Sequence, residues 1–253
     1  MKNPGTGTDQ KTRLDSALVA RGLAPSRARA RDAILRGRVI VDGTPTDKPS
    51  LMVAASTQLA VDDPALAYVS RAAFKLVAAL DHFGYSPKGR IALDIGASTG
   101  GFAEILLQRG ARRIYCVDVG HGQLHERLAA DARIVNMEDT NARSLDRARV
   151  ADPVGAVTAD VSFISLKLAL PPALALADDN AWGVFLVKPQ FEVGRINIGK
   201  GGIVRDPTQA RGAAEAIARF VEAKIGWVVD GIIASPIAGG DGNREFLIGA
   251  QFG

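Results

Sequence analysis

IALDIGASTGGFAEILLQRG, residues 91–110, decides the architecture. Ile91 to Ile95 is an apolar run of strand length interrupted only by Asp94. The chain then turns through Gly96, Ala97, Ser98, Thr99, Gly100 and Gly101, and from Phe102 the apolar residues recur at helical spacing. The rhythm repeats downstream in RIYCVDV (113–119), QLHERLAAD (123–131) and RIVNM (133–137). Further strands are expected at 155–159, 182–187, 227–233 and 245–251, and a long helix at 207–224 with Pro207 in its first turn. Strands alternating with crossover helices predict a parallel sheet. Seven of them make an α/β, Rossmann-like, doubly wound domain over residues 90–253, preceded by a linker and leading helix at 64–89.

The turn carries chemistry. Its glycines let backbone approach a ligand closely, and the helix that follows presents free N–H groups. Cofactors of the NAD, FAD and S-adenosylmethionine (SAM) types all use such a turn. Asp94 beside it repels a pyrophosphate and favours the ammonium and sulfonium of SAM. Asp118, ending the second strand, is placed to accept ribose hydroxyls. Gly199-Lys200 is followed by Gly201, so no nucleoside-triphosphate loop is present.

Composition bounds the rest. At 253 residues with 47% hydrophobic content, the chain has material for one α/β domain and a small satellite. Cys116 is the single cysteine, which excludes an intrachain disulfide and fits a reducing compartment. Residues 1–10 read as a loose polar tail without the apolar stretch of a signal peptide, and the cytoplasm is the expected location. The most apolar stretch, 156–177, is interrupted by Asp160, Lys167, Pro171 and Pro172, and reads as a strand and a buried helix rather than a membrane span. His82, His121 and His125 lack metal-ligand company, so no metal site is expected, and a monomer is the default.

Residues 11–63 form a separate, basic module. Leu14, Ala17, Leu18 and Leu23 supply one short helical face; Ser26 caps a second helix carrying Ala30, Ala33, Ile34 and Leu35; Gly37 stops it. Val39, Val41 and the Asp42-Gly43 turn then begin a small β region that runs to Val61. The arginines of these helices fit a solvated face as well as they fit RNA. The run LDSALVARGLAPSRARARDAILRGRVIVDG, however, resembles the S-four RNA-binding domain over residues 11–61. The resemblance makes Arg13, Arg27, Arg29, Arg31, Arg36 and Arg38, with Arg71 beyond the module, the expected RNA contacts.

Asp160 and Lys188 each end an apolar run, at the sheet edge where open α/β folds bind ligands. Asp160 alternatively caps a helix starting near Ser162 or Ser165, Lys188 and Glu245 alternatively form a structural ion pair, and Lys75 alone reads as a solvated helix residue. The glycine-rich stretch 194–202 reads equally as a lid or an inert surface loop.

YVSRAAFKL, DIGASTGGF, DVGHGQLH, ADVSFISL, VKPQFEVG and GNREFLI together resemble the TlyA family, which is described both as haemolysin-like and as ribosomal RNA 2′-O-methyltransferases with an FtsJ-type domain. The resemblance spans nearly the whole chain from residue 11. It implies SAM as cofactor, ribosomal RNA or ribosomal subunits as partner with cytidine as the first candidate nucleotide, and a Lys-Asp-Lys-Glu catalytic set at Lys75, Asp160, Lys188 and Glu245. The expected cofactor residues are Asp94, Gly96, Ala97, Ser98, Thr99, Gly100, Gly101, Phe102, Asp118, Val119, Glu138 and Asp160. Ala72-Ala73 depart from the family, which more often has glycine there. Two rival readings remain: a membrane-active haemolysin, opposed by the lack of a span or a strongly amphipathic basic helix, and a non-catalytic RNA-binding factor, opposed by Asp94, Lys188 and Glu245.

Overall fold

A computed structural model describes residues 11–253; the expected tail, 1–10, lies outside them. The chain divides into two units, with the break between Tyr68 and Val69.

In the first unit, β1 (Thr12–Arg13) leads into α1 (Leu14–Ala20), and α2 (Arg27–Leu35) follows after a turn at Gly22. Ser26 accepts from the Arg29 N–H and so caps α2 as expected. β2 (Val39–Val41) and β3 (Thr44–Thr46) form a hairpin over Asp42 and Gly43, whose φ values of 47° and 82° give the turn the twist that hairpins require. β4 (Met52–Val53) pairs with β1, and β5 (Leu59–Val61) pairs with β2 on the side away from β3. Leu14, Leu18, Ala30, Ile34 and Val39 close a small core.

The second unit opens with α3 (Ala72–Phe83), followed by β6 (Ile91–Ile95), α4 (Gly101–Gln108), β7 (Arg113–Val117), α5 (Glu126–Ala129) and β8 (Ile134–Met137). Then come β9 (Val154–Ala159), α6 (Leu166–Leu174), β10 (Ala177–Val187), α7 (Pro207–Phe220), β11 (Val228–Ala234) and β12 (Phe246–Gln251). The seven-stranded sheet has the order β11-β12-β10-β9-β6-β7-β8. It is parallel from β10 to β8, as the alternation predicts, but β12 runs antiparallel to both of its neighbours. The reason is the connection: no helix stands between β11 and β12, and a parallel return requires a long crossover.

Three local differences from the pattern stand out. The helix expected at 207–224 ends at Phe220 and continues as one wider turn, Val221–Ile225, which stops at Gly226 with φ 80°. In QLHERLAAD only Glu126–Ala129 is helical, because Glu138 holds the N–H groups of Gln123 and Leu124 outside a helix. The last strand starts at Phe246 rather than Glu245. The apolar stretch resolves into β9 and the buried α6. Among the described residues no helix is long and apolar enough to cross a membrane.

Candidate active site

The parallel strands end on one edge of the sheet, and the residues just past those ends build the site. Gly96 follows β6, Asp118 follows β7, Glu138 follows β8, Asp160 follows β9 and Lys188 follows β10. Because β12 is antiparallel to β10 with Phe246 opposite Val187, Glu245 just before β12 reaches the same edge as Lys188.

A cavity of about 540 Å³ opens at this edge, lined by Gly96, Ser98, Asp118, Val119 and Asp160 of the expected cofactor residues. A smaller one of about 150 Å³ is lined by Gly96, Ala97, Ser98, Thr99, Gly101, Phe102, Asp160 and Lys188. Gly96 sits at φ 80°, and a Cβ there would stand 2.5 Å from the Asp160 carbonyl oxygen, so only glycine lets the two strand ends approach. The departure at Ala72 is accommodated: its Cβ would lie 3.1 Å from one added at Gly101, while Ala73 is fully buried. The Asp118 carboxylate accepts the N–H of Ser98 at 2.8 Å and of Gly120 at 2.7 Å, which fixes it at the turn.

Asp94, Gly100 and Glu138 line neither cavity. Asp94 is fully buried beneath the turn, accepts from the Thr158 hydroxyl at 2.8 Å, and is pushed up to about 7 by burial, with Asp160 adding to the rise. Gly100, at φ 95°, is packed against Leu124 and Leu128. Glu138 accepts the Gln123 and Leu124 N–H groups, which lower its carboxyl to about 2 and shape the loop beside Asp118.

The four expected catalytic side chains form two ion pairs. Lys188 Nζ lies 2.7 Å from Asp160 Oδ1 and donates to Ser162 Oγ at 2.8 Å, at the surface the two cavities share. Lys75 Nζ lies 2.5 Å from Glu245 Oε2, both side chains almost fully buried. Burial raises the Glu245 carboxyl; Lys75 counters that, Asp160 adds to it and Lys188 opposes it, so the pairs are electrostatically in contact. Lys188 therefore pairs with Asp160 rather than Glu245, and Asp160 caps no helix: Ser165 caps α6.

Sequence reading missed Gln123, Thr140, Asn141, Ala142, Ser162, Phe163 and Ile164, which also line the larger cavity. Position after the ends of β8 and β9 is the signal that locates most of them. The lining of that cavity includes two carboxylates, Asp118 and Asp160, and no Lys, Arg or His. It therefore suits a cation or a neutral nucleoside and disfavours a pyrophosphate, although the acids responsible are not Asp94. Among the described residues no group of three or more His, Cys, Asp or Glu is placed to hold a metal.

In the first unit the expected RNA contacts separate. Arg13 and Arg27 both reach Asp15, at 2.9 Å and 3.2 Å, yet stay well exposed. Arg29 donates to the carbonyls of Ala65 and Tyr68, and Arg36 pairs with Asp32 and Asp63, so both are engaged in the fold. Arg31 and Arg38 are exposed and have no ion pair within the described residues. Arg71 stands at the N-terminus of α3, in the second unit.

The FtsJ-like methyltransferase profile matches residues 68–252 and the S4 domain profile residues 12–59. The chain is 46% identical, over 94% of its length and 89% of the relative's, to the 16S/23S rRNA (cytidine-2'-O)-methyltransferase TlyA of Mycobacterium tuberculosis. It is 38% identical to Hemolysin A of Brachyspira hyodysenteriae, over 93% of its length and 98% of that protein's. A solved structure described as a putative hemolysin from Streptococcus thermophilus shares 39% identity and superposes with a TM-score of 0.76, covering 97% of this chain and 90% of that one. The chain belongs to the TlyA family, S4-domain proteins with an FtsJ-like methyltransferase domain.

Proposed function

We propose that the protein transfers a methyl group from SAM to the 2′-hydroxyl of a cytidine in ribosomal RNA, acting as a monomer in the cytoplasm. The observation that carries this reading is the Lys188–Asp160 pair at 2.7 Å, standing where a cation-free cavity meets a second cavity that Lys188 also lines. Relatives named as cytidine-2'-O-methyltransferases of 16S/23S rRNA and of 23S rRNA supply the substrate class.

The larger cavity fits SAM. Asp118 is fixed to accept ribose hydroxyls, the turn from Gly96 to Gly101 allows close backbone approach, and Val117, Val119 and Ile164 offer apolar walls for a base. When bound, SAM supplies an electrophilic methyl carried on a sulfonium. The protein's residues handle the hydroxyl. Asp160 and Ser162 hold Lys188 at the shared wall, where the Lys188–Asp160 pair orients the ribose 2′-hydroxyl and takes up its proton, onto the carboxylate, as that oxygen becomes the nucleophile. Lys75 and Glu245, buried behind, set the field at this point and keep water out. Exposed cations at Lys200, Arg205 and Arg244 supply phosphate contacts in the same unit, and Arg31 and Arg38 supply them from the S4 domain.

The test is methyl transfer from labelled SAM to ribosomal subunits lacking the modification, with the product nucleotide mapped. The expected result is incorporation at a cytidine ribose that falls at least ~100-fold in Lys188→Ala. Absence of both incorporation and SAM binding would leave a non-catalytic RNA-binding role.

A further inference from the structure

The turn joining β9 to α6 holds a strained residue beside the site. Phe163 sits at φ 65°, in the left-handed region, and its side chain is 92% exposed. A bulky residue keeps such a conformation only where the surroundings over-determine it. Here the restraints lie on both sides. Before Phe163, Asp160 and Ser162 are held by Lys188, at 2.7 Å and 2.8 Å. After it, Glu192 accepts the Ser165 hydroxyl at 2.6 Å and the Leu166 N–H at 2.8 Å. The rings of Phe163 and Phe191 lie 5.3 Å apart between these anchors. Two short segments, 160–166 and 188–192, are thus laced together at three points.

We propose that Glu192 is a positioning residue for the transfer reaction: by strapping Ser165 and Leu166, it holds the strained turn so that Asp160 and Ser162 stay in register with Lys188. The inference rests on the methyl-transfer reading above. Ser165 caps the Lys167 N–H from within its own segment, whereas Glu192 takes the Leu166 N–H and the Ser165 hydroxyl from the segment that follows Lys188, so its bonds tie the two segments together as well as closing the helix start. Stability alone does not account for Glu192, since burial raises its carboxyl and so disfavours its charged form. A carboxylate at this point makes sense as a two-oxygen clamp across the segments that carry Asp160 and Lys188.

The experiment compares full-length wild type with Glu192→Ala and Glu192→Gln, measuring single-turnover methyl transfer to ribosomal subunits, the Kd for SAM, and Tm. A glutamine keeps the clamp, since its amide oxygen accepts the Leu166 N–H and its amide nitrogen donates to Ser165. Expected is a transfer rate reduced roughly 10- to 100-fold in Glu192→Ala, with the Kd for SAM within about twofold of wild type and the rate largely restored in Glu192→Gln. A Glu192→Ala rate within twofold of wild type overturns the proposal, as does a loss in both variants that merely follows the fraction unfolded. If wild type itself transfers nothing, the reading of the previous subsection fails, and hydrogen exchange then judges the strap. Faster exchange of the 162–166 amides in Glu192→Ala supports it, and unchanged exchange overturns it.

Discussion

Apart from Glu104, which Arg127 meets, the methyltransferase domain treats its buried acids in the opposite way to the S4 domain. In the S4 domain, Asp15 is 3% exposed and takes hydrogen bonds from Arg13 and Arg27, which hold its carboxyl well below the usual range against the cost of burial. In the methyltransferase domain, Asp94 is fully buried with a hydroxyl and no cation in contact, and Glu245 has Lys75 yet is still raised by burial. The small unit has a small core and uses its charges to hold its fold. The larger one has a continuous apolar core and carries charges that stability alone would not select. Where burial raises the carboxyl, the acid lies beneath the turn or behind the Lys188–Asp160 pair rather than in the cavity lining.

The sharpest way to break that contrast is to cut the buried pair. Glu245→Ala leaves Lys75 without its carboxylate in an apolar setting, and an expected loss of roughly 3–5 kcal/mol follows in chemical denaturation. The double variant Lys75→Met/Glu245→Leu recovers most of this stability while methyl transfer stays absent, because packing is replaced and the field at Lys188 is not. A single-variant loss under about 1 kcal/mol would mean that the pair is solvated, and the two units would then not differ. In the S4 domain, Asp15→Asn lowers the protection of the α1 amides by about 2 kcal/mol at pH 7, the worth of hydrogen bonds to a charged group. Its folded carboxyl lies below the unfolded one, so the stabilisation is complete above the unfolded value near pH 4 and is lost as pH falls further. Wild type and variant should therefore converge in acid. Equal protection at pH 7 would instead make the Asp15 contacts incidental.

How much of this was legible depended on whether the cause was local. The parallel strands announced themselves because each apolar run and helix pattern is a contiguous signal, and Asp160 and Lys188 stood out as charges closing such runs. Glu245 reaches the site only because β12 inserts antiparallel between β10 and β11, a pairing of distant segments that no local pattern encodes; family resemblance supplied it instead. Phe163 was not singled out as a site residue, since nothing in the sequence marks its left-handed backbone or its 92% exposure. Asp94 was assigned to the cofactor because it stands two residues before Gly96, but β6 is a central strand buried along its whole length, and Asp94 is buried with it beneath the turn. Arg29 and Arg36 look like Arg31 and Arg38 in sequence, and they differ because their partners include Ala65, Tyr68 and Asp63, far along the chain.

Asp94 offers the same comparison with the sign reversed. Its carboxyl, at about 7, is raised above the unfolded value, so the folded state binds the extra proton between about pH 4 and pH 7. Its ionisation therefore costs stability as pH rises through that window, and the cost is complete above it. Asp94→Asn keeps an oxygen for Thr158 and removes the charge, so its Tm should exceed that of wild type at pH 8, with the gap closing toward pH 4. A gap of constant size would place the effect in packing rather than in protonation.

The smallest expected effects separate the arginines that hold the S4 domain together from those proposed to meet RNA. Arg31→Ala and Arg38→Ala should each lower the salt dependence of subunit binding by about one unit of slope, the signature of one lost phosphate contact, with little change in stability. Arg36→Ala should do the reverse, because Asp63, whose side chain is 1% exposed, loses its guanidinium while the phosphate count stays the same. Arg29→Ala belongs with Arg36, since its donors already serve the carbonyls of Ala65 and Tyr68. If all four variants shifted the slope equally, these ion pairs would have to open on RNA, and the S4 domain would bind by trading its own charge contacts for phosphates. The distinction between fold-holding and ligand-holding charge would then apply only to the free protein.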